Sequence, residues 1–210
     1  MTFIKGDGFE LRVLEESEAE ATVWTRHVMH ANKHMEFVMT GNAPMRWFDI
    51  RDEWKREREK GAVLFGVWSL GDLKTAQHVS DLLNHELRTE GIAVIPHPRF
   101  IGTCGLYSPY EIYRSYDSRF MIVDPEAVGK GLGVKVAIAL NEYAFMKLNA
   151  HRIGLGVSAL NIRAIKTYLD AGYKFEGTFK DAIYTNGAYW DTYRMGLTRE
   201  DWEKWRSTEL

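Results

Sequence analysis

The stretch "GKGLG", residues 129–133, places glycine at every second position around a single lysine. It lies between a run of β-formers, "RFMIV" (119–123), and an apolar-rich stretch, "VKVAIALNEYAFMKL" (134–148). A strand, a glycine turn and a helix in that order aim backbone N–H groups at one point. The helix start adds a partial positive charge there. Glycine lets the backbone approach a bulky anion and take positive φ. The chemistry this implies is anion binding, with phosphate or pyrophosphate the natural ligand. A plain strand-to-helix connection uses the same residues, so the turn alone leaves both readings open.

Two phosphate-loop patterns fail. The P-loop needs Ser or Thr after Gly-Lys and a glycine five residues earlier. Here Gly129-Lys130 is followed by Gly131, and Asp124 stands five residues before Gly129. The dinucleotide spacing G-x-G-x-x-G needs glycine where Val134 stands. Other reactive residue types form no constellation. Cys104 is the single cysteine, in the apolar run "RFIGTCGLYS" (99–108), which excludes an intrachain disulfide and a thiolate metal cluster and suits a small core residue. The seven histidines show no metal-ligand spacing, so no metal is expected.

The elements that must position the turn can be read from periodicity. "FELRVLEE" (9–16) alternates as a strand, 18–32 reads as a helix, and "FDIRDEWKREREKG" (48–61) as a helix with a solvated charged face and Gly61 at its stop. "AVLFGVWSL" (62–70) is apolar on both faces, like a central strand, and 99–108 looks like its partner. Residues 71–97 form a long insertion between them, with leucines near helical spacing: a lid, a dimer contact or decoration. "SYDSRFMIV" (115–123) is a further strand. The helix after the glycine turn carries an apolar face interrupted by Asn141. "HRIGLGVSA" (151–159) is a strand with Gly154 and Gly156 on one face. "NIRAIKTYLDAG" (161–172) is a short helix expected to turn Ile162, Ile165 and Leu169 inward. Two long strands flank Asn186-Gly187, a strong hairpin signal. Alternating strands and helices define an α/β (α+β) chain with a mixed sheet.

The glycine turn, with its strand and "DPE" lead (124–126), resembles the acetyl-CoA loop of the GNAT superfamily of N-acetyltransferases, written Q/R-x-x-G-x-G/A. Gly131 and Gly133 match the small positions, and Val128 replaces the usual Gln or Arg. Downstream, "NIRAIKTYLDAGYKFEGTFKDAIYTNGAYWDTYRMGL" is similar to the closing segment of the ribosomal-protein-alanine acetyltransferase branch, with Tyr173 where phenylalanine is commoner. The resemblance covers roughly residues 8–70 and 98–202, with the insertion outside it.

The resemblance implies a single domain, 1–210, in a GNAT fold: a mostly antiparallel central sheet, splayed between its middle strands and flanked by helices. Pantetheine would pair with the strand edge at Met121, Ile122 and Val123. The amides of Gly129, Lys130, Gly131, Leu132, Gly133 and Val134 would hold the pyrophosphate. Asn161 would contact the cofactor, although an N-cap role explains it equally well. Tyr168 matches the family tyrosine that protonates the leaving thiolate, and a phenol is protonated at neutral pH. The family often has a glutamate at the position of Ser118. Asp117 is the adjacent candidate base, although strand alternation turns it to the opposite face; Glu111 is more distant, and deprotonation through ordered water is an equal alternative. A backbone N–H near Val123 would stabilise the oxyanion.

The implied activity is acetyl-CoA-dependent acetylation of a primary amine: a small amine, an amino sugar or a protein N-terminus. A CoA-binding sensor without transferase activity is the alternative, motivated by Val128 and by the missing carboxylate at 118. With 45% apolar and 27% charged residues and a net charge of −2, the composition is that of a globular protein and calls for neither nucleic acid nor a membrane as partner. The sequence lacks a signal-like apolar start and a long apolar window, which makes the cytoplasm the expected location. A homodimer is possible.

Overall fold

A computed structural model describes residues 2–14, 47–70, 99–122, 127–185 and 187–209. The helix expected over 18–32, the insertion at 71–97, Val123 and Asn186 lie outside the described residues.

Among the described residues eight strands form one sheet. They are β1 (Thr2–Gly6), β2 (Phe9–Val13), β3 (Val63–Ser69), β4 (Arg99–Tyr110), β5 (Ser115–Ile122), β6 (Arg152–Ser158), β7 (Lys174–Thr185) and β8 (Ala188–Thr198). Their order across the sheet is β1-β2-β3-β4-β5-β6-β8-β7. Helix α1 (Trp47–Glu59) precedes β3, α2 (Leu132–Glu142) links β5 to β6, α3 (Ile162–Asp170) follows β6, and α4 (Arg199–Glu209) closes the chain. This is the mixed, mostly antiparallel α+β architecture expected from the sequence.

Every neighbouring pair is antiparallel except β5 and β6, which α2 joins as a crossover. Their parallel ladder has three rungs, Ser115↔Arg152, Tyr116↔Ile153 and Asp117↔Gly154. Beyond them the strands part. β5 runs on to Ile122 against β4, and β6 runs on to Ser158 against β8. The sheet is therefore forked at its middle, with two unpaired inner edges.

The core lies where α2 covers the sheet, with Phe9, Phe65, Ile101, Leu140, Phe145 and Ile153 all buried. α1 buries Trp54 and leaves most of its charged residues in solvent, as its composition predicts. Gly61 has φ 88 and donates its N–H to the Arg58 carbonyl at 2.9 Å, ending that helix.

The inward face of α3 differs from the expected one. Ile162 is 70% and Leu169 51% exposed, whereas Tyr168 is buried and Ile165 packs against the core. The positions that share a stripe are 164, 165, 168 and 171. Docking on the sheet favours this aromatic stripe over the purely aliphatic one. Two elements carry signals that the periodicity reading passed over. β1 pairs with β2 through the turn at Asp7-Gly8. α4 starts at an N-cap threonine: Asp201 N–H donates to Thr198 Oγ1 at 3.2 Å, and the Thr198 hydroxyl donates to the Asp201 carboxylate at 2.9 Å.

Candidate active site

The glycine turn leads straight into α2. Gly129 and Gly131 have φ 82 and φ 75, and Gly131 is the N-cap, with no side chain bonded to the cap. A Cβ on either glycine would meet nothing within 4 Å. These glycines are therefore required by backbone conformation rather than packing, and the space above them is open. The first-turn N–H groups of α2 face that space without intrahelical acceptors. Gly133 differs: it lies inside the helix, and a Cβ there would touch Phe120 and Thr167 at 3.5 Å, an ordinary contact. Alanine fits at 133 and not at 131, which is the physical content of G-x-G/A. Lys135, in the first turn of α2, pairs with Asp7 and ties the helix start to the β1–β2 turn. Lys130 is exposed and Val128 half-buried.

The prong of β5 lies beside this cradle. Met121 and Ile122 pair with Thr103 and Gly102 of β4 on one edge, and their other edge borders the gap. Phe120 on the same prong meets the Tyr168 ring edge-on, with centroids 5.3 Å apart. Tyr168 in turn meets Tyr173 at 5.6 Å. Burial raises the Tyr168 phenol above its ordinary value, and its hydroxyl has no hydrogen-bond partner among the described residues. Asn161 caps α3, its Oδ1 accepting from the Ala164 N–H at 3.1 Å.

Asp117 occupies the last rung before the fork. Its carboxylate accepts from Arg194 of β8 at 2.7 Å, and both side chains are about one-third exposed, at 32% and 36%. The guanidinium crosses β6 over Gly154, where a Cβ would stand 2.6 Å from Nη2. The bare face of Gly154 is thus filled by an arginine, while a Cβ on Gly156 would meet only the Thr192 methyl, at 3.4 Å. The Asp117–Arg194 pair was not evident from sequence: no local pattern links residues on β5 and β8. Ser118 alternates to the other face and is buried. Asp117 and Tyr168 therefore approach the fork from opposite faces of the sheet.

Cys104 is buried and burial raises its thiol, which leaves a core residue rather than a nucleophile. Among the described residues no group of three or more His, Cys, Asp or Glu side chains could hold a metal ion, and no helix is long and apolar enough to cross a membrane.

A sheet forked at a parallel pair, with a glycine cradle and a buried tyrosine beside one prong, is the architecture of an acyl-CoA-dependent transferase. Residues 9–174 match the family model for the acetyltransferase (GNAT) domain. The chain belongs to this family. It is 35% identical over 160 residues to the spermidine N(1)-acetyltransferase of Escherichia coli K12, covering 72% of this chain and 82% of that one. It is 34% identical over 95 residues to the spermidine N(1)-acetyltransferase of Vibrio cholerae, covering 45% of this chain and 54% of that one. The chain thus spans about half the length of the Vibrio relative. In fold it is similar to the crystal structure of spermidine N-acetyltransferase from Vibrio cholerae in complex with CoA and spermine, with TM-score 0.71 and 21% identity over 94% of this chain and 99% of that one. These relatives are spermidine acetyltransferases, so the leaning of the C-terminal motif toward the ribosomal-protein-alanine branch is not supported.

Proposed function

We propose that this chain transfers the acetyl group of acetyl-CoA to a primary amine of a small polyamine by direct attack. The observation that carries this reading is the set of three features on one side of the fork: the open prong of β5, the glycine turn with clear space above Gly129 and Gly131, and Tyr168 packed on Phe120 of that prong. The polyamine class is suggested by the Escherichia coli relative, which is named for spermidine. The pyrophosphate would rest on the amides of 129–134 and pantetheine would run along Met121 and Ile122.

In the reaction the neutral amine nitrogen attacks the thioester carbon and a C–N bond forms. The tetrahedral intermediate collapses with loss of the C–S bond. Backbone N–H groups on the inner edge of β5 can stabilise the oxyanion. Tyr168 donates a hydrogen bond, and finally a proton, to the departing sulfur. Asp117 receives the amine proton, directly or through water. Arg194 holds one of its oxygens, and the other is available to the substrate ammonium.

The test is thiol release from acetyl-CoA with spermidine, a monoamine, an amino sugar and a peptide N-terminus as acceptors. Release with spermidine well above the others is expected. Tight CoA binding without release to any amine would make the chain a CoA-binding module instead. Release with the peptide alone would restore the ribosomal-protein-alanine reading.

A further inference from the structure

Two polar groups are buried beneath Tyr168 and are partners of each other. Asn141 interrupts the apolar face of α2, and it is 1% exposed. Its Oδ1 accepts from the Tyr173 hydroxyl at 2.8 Å, and its Nδ2 donates to the Ala171 carbonyl at 3.3 Å. Tyr173 is thereby fixed to α2, and the same Asn141 also holds the end of α3.

Tyr173 is also bound to Tyr168 twice. α3 ends in a Schellman motif: Gly172 has φ 91, its N–H donates to the Leu169 carbonyl at 3.0 Å, and the Tyr173 N–H donates to the Tyr168 carbonyl at 3.0 Å. The apolar contact that accompanies this motif is here the edge-on pair of the two tyrosine rings, 5.6 Å apart. The Tyr168 ring is therefore clamped between Phe120 and Tyr173.

We propose that Tyr173, anchored by Asn141, is a positioning residue that sets the depth and tilt of the Tyr168 hydroxyl at the fork. A phenylalanine at 173 would fill the same space, but the anchor to α2 would be lost. The helix whose first turn forms the cradle also holds, through Asn141, the residue that sets the proton donor. Both ends of the thioester site are thus referred to one rigid element. The proposal rests on the reading of Tyr168 as the donor to the leaving sulfur.

The experiment compares Tyr173→Phe, Asn141→Leu with Tyr173→Phe, Tyr168→Phe, and Tyr168→Phe with Tyr173→Phe. The readouts are kcat, KM for acetyl-CoA and thermal midpoint, with spermidine or whichever amine of the panel turns over. Tyr173→Phe should lower kcat by about tenfold, with KM for acetyl-CoA within about twofold, because small misplacement of a catalytic group is costly. Replacing both polar partners by apolar ones should recover the thermal midpoint while kcat stays low. Adding Tyr173→Phe to Tyr168→Phe should slow the enzyme no further. Recovery of kcat together with the midpoint would reduce the network to a structural role and overturn the proposal. So would an equal loss from Tyr173→Phe with and without Tyr168. If Tyr168→Phe leaves kcat unchanged, the donor reading itself fails, and the positioning role goes with it.

Discussion

Burial keeps the Tyr168 phenol protonated well beyond the neutral range, because the phenolate would be poorly solvated. Such a group is a persistent hydrogen-bond donor and a reluctant acid. That suits stabilisation of a departing thiolate better than early proton release. Tyr168→Phe should lower kcat by about 10²-fold, the lower end of the range for a positioned proton donor, and leave KM for acetyl-CoA nearly unchanged; steady-state kinetics by thiol release checks this. Asp117 belongs to a different dependency. Its partner Arg194 reaches it only because residue 154 has no side chain. Gly154→Ala should displace the guanidinium, and Asp117→Asn should remove the charge. Each is expected to lower kcat/KM for the amine by about tenfold, and the double variant by much less than the product, since both act on one pair. A double-mutant cycle measures that coupling, and full additivity would show that Gly154 and Asp117 act separately.

At the scale of an element, α2 is asymmetric by design of its first turn. Gly131 must take φ 75, whereas Gly133 needs only close approach to Phe120 and Thr167. Gly131→Ala should cost about 1–2 kcal/mol through left-handed strain and weaken CoA binding by more than that strain alone would, because the methyl group enters the space above the cradle. Gly133→Ala should do neither. Denaturant melts with and without CoA, together with calorimetric titration of CoA, distinguish the two positions. The fork is likewise a property of elements. α2 is the crossover that makes β5 and β6 parallel, and the pair separates after three rungs. β7 and β8 lie beyond β6, so the inner edge of β6 is backed by β8 while that of β5 is backed by β4.

For the whole molecule, several acidic protons are stored in the core. Tyr107, Tyr168, Tyr173 and Cys104 all have ionisations pushed up, foremost by burial. In the unfolded chain a thiol ionises near about 8.5 and a phenol near about 10. Between those values and the raised folded ones the unfolded state binds fewer protons, so stability falls as pH rises. The stabilisation is complete below about pH 8 and lost progressively above about pH 9–10. Urea midpoints between pH 7 and pH 11 should therefore decline on the alkaline side. A flat profile would mean that these groups titrate alike in both states.

How much of this was readable in advance depends on the range of the interaction. The glycine turn, the cap Asn161, the stop at Gly172 and the strand beside the cradle are local, and neighbouring residues dictate them through φ preference and hydrogen-bonding reach. The G-x-G/A spacing with Asn161 and Tyr168 downstream was enough to point to the family that residues 9–174 match. The inward phase of α3 was misread because burial of Tyr168 depends on Phe120 and Tyr173, which only docking on the sheet supplies. The same holds for Arg194 on Asp117 and for Asn141 under Tyr173, pairs that are 77 and 32 residues apart. Sequence determined where the backbone turns through positive φ into a helix, because that is settled within a few residues. Tertiary structure decided which side chains meet at the fork, because a sheet brings together strands that no local rule connects.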